Sequence, residues 1–236
     1  MKTICLLVTK APRLAPVCLL ALMIGGATIV QAQSQDKDHV QVGAYFLTVV
    51  PRGEFSDNLT SNSYGAGVQG LVRIGSSPFM MGGDLALAIY GSERRLDPTT
   101  SERVTTSNYI LLPHFVLRAQ PRLGVIRPYV EGLIGLKYLW TETSTSEVDF
   151  DGNIINDVNL SDTSFSYGVG GGLQISPTKT RESRFMLDIG VRWLRGGRAE
   201  YLREGAIREV NGSVVYDILS SRTDTLAVRV GVTYRF

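Results

Sequence analysis

Leu226-Ala227-Val228-Arg229-Val230-Gly231-Val232-Thr233-Tyr234-Arg235-Phe236 closes the chain with a strict alternation. One set of positions reads Leu, Val, Val, Val, Tyr, Phe. The other reads Ala, Arg, Gly, Thr, Arg. A β-strand sends successive side chains to opposite faces. The segment therefore predicts a strand with one greasy face and one polar or small face.

The same period of two recurs upstream, at Val40–Leu47, Tyr64–Arg73, Asp84–Tyr90, Tyr109–Arg118, Tyr129–Trp140, Ser164–Gln174 and Phe185–Leu194. With the last segment this makes an even set of eight strands. The fourth is the least regular, because Ile110, Leu112 and Val116 make both of its faces apolar. A tilted barrel strand crosses a bilayer in about 9–11 residues, which these segments can supply.

Connection lengths alternate as well. The links Ile74–Gly83, Ala119–Ile126 and Ser176–Arg184 are short, whereas Val49–Ser63, Gly91–Thr106, Thr141–Thr163 and Leu194–Asp224 are long and polar. Short turns at one end and long loops at the other are the habit of outer-membrane barrels. The expected fold is all-β, an eight-stranded antiparallel up-and-down transmembrane β-barrel with four long surface loops over residues 33–236. Aromatic residues gather near strand ends. Tyr64, Tyr109, Tyr138, Trp140, Phe165 and Tyr167 fall at the long-loop end, and Phe79, Phe115, Tyr129, Phe185, Tyr234 and Phe236 towards the short turns. Rings with an apolar body and a polar edge favour the two bilayer interfaces.

The N-terminus reads differently. Lys2, Lys10 and Arg13 precede the apolar run Leu14–Val30, which closes on Val30-Gln31-Ala32. Charged region, apolar region and small-residue exit together predict a secretory signal over residues 1–32. Its loss removes three basic residues, leaving 24 − 3 = 21 against 22 acidic, a balance of −1. Both cysteines, Cys5 and Cys18, leave with it, so thiol chemistry is excluded from the mature chain. Val17 before Cys18 and the apolar run beyond it argue against lipid attachment at Cys18. A charge near zero excludes a strongly basic nucleic-acid binder. No apolar stretch of about 18 residues follows Ala32, so a membrane would be crossed by strands.

Taken together, these residues resemble the small bacterial outer-membrane barrels of the OmpA/OmpX type, from about Asp38 to Phe236. The terminal strand carries the most specific likeness. In that family a final Phe after alternating apolar residues looks like the signal read by the barrel-assembly machinery. The resemblance thus implies Tyr234 and Phe236 as an assembly signal, with that machinery and periplasmic chaperones as partners. The chain stops at Phe236, so cell-wall anchoring by a peptidoglycan-binding domain is not expected.

Placing the strands in register puts Arg73, Asp84, Arg118, Glu131, Lys137, Asp188, Arg192 and Arg229 on the inward face. A lone charge there costs several kcal/mol, so pairing is expected. Asp84, Glu131 and Asp188 are expected to pair with Arg73, Arg192 and Arg229, joined by Lys137. A lumen this narrow can be filled by side chains. A plugged lumen and a narrow gated channel both fit the residues.

Catalysis is not expected. His39 opens the first strand at the short-turn side and His114 faces inward, so neither stands where a base would serve outer-leaflet chemistry. Gly168-Val169-Gly170-Gly171-Gly172 lacks the Lys-Ser/Thr of a phosphate loop. The acidic segment Asp149–Asp162 offers oxygen ligands for Ca²⁺, yet Leu160 stands where an EF-hand loop closes with Glu. Neither metal nor cofactor is expected. The Asn-x-Ser/Thr sequences at Asn58, Asn159 and Asn211 matter only in a eukaryotic secretory pathway. The expected protein is a monomer in the outer membrane, among lipid and lipopolysaccharide. Its loops would serve envelope structure or contact with a host or surface ligand. The alternatives are a small-solute transporter and a soluble lipocalin-like barrel with the greasy face turned inward.

Overall fold

The computed structural model describes residues 39–59, 61–96, 103–148, 154–177, 184–210 and 213–236. The signal segment 1–32, residues 149–153 of the acidic segment and Asn211 lie outside the described residues. The strands run β1 Val40–Pro51, β2 Ser63–Arg73, β3 Phe79–Leu96, β4 Arg103–Ala119, β5 Ile126–Val148, β6 Ile154–Ile175, β7 Phe185–Gly196, β8 Arg198–Val210, β9 Ser213–Arg222 and β10 Thr225–Arg235. A single helical turn, α1 Glu54–Asn58, follows β1.

Eight strands close into an antiparallel barrel in the order β1-β10-β7-β6-β5-β4-β3-β2, while β8 and β9 form a separate hairpin. Closure is made by β1 on β10, in register from Gln41 opposite Arg235 to Pro51 opposite Thr225. Every ladder is antiparallel, and within the closed ring each strand pairs with two neighbours, whereas β3 from Gly91 to Leu96 and β6 from Ile154 to Leu160 have a ladder on one side only.

Three of the long links depart from the loops expected of them. Much of Gly91–Thr106 and Thr141–Thr163 is strand, because β3, β4, β5 and β6 run 17–23 residues against 11–12 for β1, β2, β7 and β10. One wall of the barrel therefore continues well past the other. Leu194–Asp224 holds the β8–β9 hairpin rather than an irregular loop. Its Ser, Thr and Arg mask the alternation that pairing with a partner strand makes structural. Gly75 and Gly124 take positive φ of 55° and 127° in the tight turns before β3 and β5.

The barrel is inside-out. Phe46, Val68, Leu87, Phe115, Val130, Val169, Ile189 and Val230 are exposed on its outer face. Gln41, Asp84, Glu131, Asp188, Arg192 and Arg229 are buried within it. That arrangement overturns the lipocalin-like alternative, which needs the greasy face inside. Aromatic clusters mark both rims. Trp140 stacks on Tyr109 at 5.0 Å and on Tyr138 at 5.4 Å, while at the other end Tyr234 meets Phe185 at 4.9 Å and Phe236 at 4.7 Å. Tyr129 corrects the expected girdle. It shares the face of Glu131, two residues on, and is buried in the lumen.

Candidate functional site

The lumen is the place where this chain concentrates chemistry, and it has two zones. The first is a belt of charge. Arg192 on β7 reaches Asp84 on β3 at 2.8 Å, two strands that stand diametrically opposite in the ring. Its Nε also donates to Glu131 Oε1 at 2.8 Å. Arg118 Nε and Nη2 donate to Glu131 Oε2 at 3.0 and 2.7 Å. Arg229 lies 3.5 Å from Asp188, 3.6 Å from Glu131 and 3.9 Å from Asp84. Three carboxylates thus face three guanidiniums, and the belt is neutral.

Hydroxyls and amides complete it. Tyr45 donates to Asp84 at 2.7 Å and Tyr129 to Asp188 at 2.7 Å. Gln69 accepts from Arg118 at 2.6 Å, and Gln174 donates to Asp188 at 2.9 Å. Every one of the eight barrel strands contributes at least one of these groups. The Arg118 guanidinium also lies 4.0 Å from the centre of the Tyr129 ring. Space for the belt comes from glycine. A Cβ at Gly67 would stand 2.6 Å from the Tyr45 ring, and one at Gly170 only 2.9 Å from Arg192 Cγ.

The expected members Arg73 and Lys137 stand elsewhere. Arg73 Nη1 donates to the carbonyls of Ser77 and Gln120 by the short turns. Lys137 donates to the Thr223 carbonyl and to Thr225 Oγ1 at 3.0 Å, at the loop end. Arg118 takes the place in the belt that Arg73 was expected to fill. His114 is buried against Ser166, with Nε2 2.9 Å from the hydroxyl. Tyr45, Gln69 and Gln174 were not expected in the belt, and Tyr129 was expected in the aromatic girdle. Tyr129 and Gln69 share the parity of Glu131 and Arg73 on their own strands, whereas β1 carries no charged residue to mark Tyr45.

The second zone is an apolar plug at the loop end. Leu47, Val49, Ile110, Leu112 and Leu139 fill the lumen there, and Phe55, Tyr90 and Tyr201 close over them. Phe55 comes from α1 and Tyr201 from β8, their rings edge-to-face at 5.1 Å. Asn58 donates to the Tyr201 hydroxyl at 3.0 Å, tying helix to hairpin. On the apolar inner face of β4, Ile110 and Leu112 belong to this plug, while Val116 packs in a separate cluster with Leu71, Met80, Leu133 and Leu194.

Among the described residues no group of His, Cys, Asp and Glu is arranged to hold a metal ion. Of the acidic segment weighed for Ca²⁺, Asp157 lies in β6, and Asp162 accepts the backbone N–H of Thr163 and Glu200.

A closed ring with lipid-facing apolar residues outside and a neutral charge cluster inside defines a membrane-spanning β-barrel of the bacterial outer-membrane type. No protein-family model matches the sequence, and no curated protein matches it. Among solved structures, the chain is similar to Ail, the attachment invasion locus protein of Yersinia pestis. The identity is 16% over 84% of this chain and 97% of that one, with a TM-score of 0.40. It is similar to OprG from Pseudomonas aeruginosa at 13% identity over 85% and 97%, with a TM-score of 0.42. It is also similar to Neisserial surface protein A at 13% identity over 84% and 96%, with a TM-score of 0.39.

Proposed function

We propose that this chain is a non-conducting, non-enzymatic outer-membrane barrel whose work lies in envelope structure and in contacts made by its surface loops. The observation that carries the reading is the belt to which every barrel strand contributes. A cross-braced cluster with its charges balanced supports a lumen closed at mid-barrel. The apolar plug repeats the closure nearer the surface. On this reading residues 1–32 direct export and are removed. Tyr234 and Phe236 act as the assembly signal for the barrel-assembly machinery, after escort by periplasmic chaperones. The mature chain is a monomer among lipid and lipopolysaccharide, and its loops meet a host or surface ligand.

The test is single-channel recording of the refolded mature chain in a planar bilayer. Silence from protein shown to be inserted is the expected result. Reproducible small steps would replace this reading with the alternative, a narrow channel for small solutes. One observation favours that alternative. Gln41 Nε2, Gln69 Nε2 and Gln120 Oε1 are buried without a hydrogen-bond partner among the described residues, and such groups are commonly served by internal water.

A further inference from the structure

We propose that the outer rim of the barrel between β6 and β7 binds the phosphate of an outer-leaflet glycolipid, with the lipid's acyl chains laid along the wall below. A cleft of about 300 Å³ opens there, lined by Phe165, Tyr167, Arg195, Arg198, Arg222 and Asp224. Three arginines line it with Asp224, and a second carboxylate, Glu54, accepts the Arg222 backbone N–H at 3.1 Å beside it. Asp224 is occupied, since its Oδ1 accepts the Gly196 N–H at 2.9 Å. Arg198 is shared with Glu54 at 3.8 Å. Arg195 and Arg222 carry no ion pair among the described residues. An arginine fork matches phosphate oxygens in geometry as well as charge.

Depth identifies the ligand. Arg195 lies two residues beyond Trp193 on the same outward face of β7, with its guanidinium 5.2 Å from the indole centre. Trp and Tyr mark the level where acyl chains give way to headgroups. Tyr167 stands opposite Arg195 in the ladder, so ring and cation share that level. Beneath them the outward residues are apolar: Val169 and Leu173 on β6, opposite Trp193 and Ile189 on β7. The cleft thus joins an anion site to a hydrocarbon surface, which a free phosphate would use only in half.

This site rests on the membrane reading, and the test separates the two. Insertion of the wild-type chain into preformed vesicles is scored first by protease protection. Failure there overturns the membrane reading and the site with it. The inserted or micellar barrel is then titrated with phosphorylated lipid A, dephosphorylated lipid A and inorganic phosphate. The expected result is about tenfold tighter binding of the phosphorylated lipid than of either other probe, as charge-assisted pairing to arginine implies. The variant Arg195→Gln/Arg222→Gln loses that preference, and Arg184→Gln, at the opposite rim beside Tyr234, keeps it. Arg222→Gln alone serves if the double variant does not fold. Equal binding of the two lipids, inorganic phosphate binding as tightly as lipid, or an unchanged preference in the folded Arg195/Arg222 variants would each overturn the proposal.

Discussion

The two zones of the lumen close the same tube by opposite chemistry. The belt around Glu131 is held by charge and hydrogen bonds, with Val116 and Leu133 packed beside it, and the plug around Leu139 is almost wholly apolar, yet Glu131 and Leu139 sit on the same inward face of β5. In a soluble protein the apolar zone would be called the core and the charged zone a surface. Here the lipid already satisfies the outer apolar face, so the interior is free to use either. What differs is how each zone fails. The belt depends on charge balance, so losing one partner strands the rest. The plug depends on contact, so its losses scale with the volume removed.

The largest effect should come from the belt. Glu131→Gln keeps the shape but leaves three guanidiniums facing two carboxylates. Breaking a buried ion pair from one side costs about 3–5 kcal/mol. Urea unfolding of the vesicle-inserted chain, followed by tryptophan fluorescence, measures it. A loss below about 1 kcal/mol, as for exposed pairs, would mean that water reaches the belt. Leu139→Ala follows at about 3 kcal/mol, the usual cost of a core leucine cavity. The sharper measurement is the double variant. Eight residues of strand separate the sites by about 26 Å, so the two losses should add to within about 0.5 kcal/mol. Clear non-additivity would merge the zones into one cooperative unit and dissolve the comparison.

Gly170→Ala should cost less, about 2 kcal/mol, by overpacking. Its Cβ would press on Arg192 Cγ at 2.9 Å, the Val191 carbonyl at 3.0 Å and Glu131 Cγ at 3.2 Å. The same unfolding measurement applies. A neutral result would show that the Arg192 stem gives way and that the belt tolerates displacement.

Parity explains what could be read ahead of the structure and what could not. Period two is local, so the wall of strands and the face of each residue follow from counting along the chain. Height is not local. Arg73 shares the face of Gln69 but lies four positions along β2, about 13 Å nearer the short turns. Lys137 is six positions from Glu131 along β5, about 20 Å towards the loops. Both are on the inward face and both fall outside the belt. Arg118, directly opposite Glu131 in the β4–β5 ladder, lies inside it. The pairing of Arg192 with Asp84 needs the ring closed, since the two are 108 residues apart. The plug was hidden for a different reason. Phe55 and Tyr201 reach it from segments without a barrel strand's alternation, and only their packing over Tyr90 gives them a place.

The smallest effect tests which rule governs a histidine–serine pair in this lumen. His114 stands opposite Asp84 in the β3–β4 ladder, and its Nε2 meets Ser166 Oγ at 2.9 Å. Ser166→Ala removes one small group and leaves a buried ring nitrogen without that partner, at a cost of about 1 kcal/mol. Under the belt's rule the loss comes from the stranded nitrogen, not from missing volume. His114→Leu added to Ser166→Ala should then recover most of the loss, because an apolar replacement of both partners is nearly neutral. Under the plug's rule the second substitution recovers nothing and adds the strain of a differently shaped side chain. Unfolding of the wild type, Ser166→Ala and the double variant under identical conditions separates the two. We expect recovery, which would extend the belt's logic of mutual satisfaction to the hydrogen-bonded pair between β4 and β6.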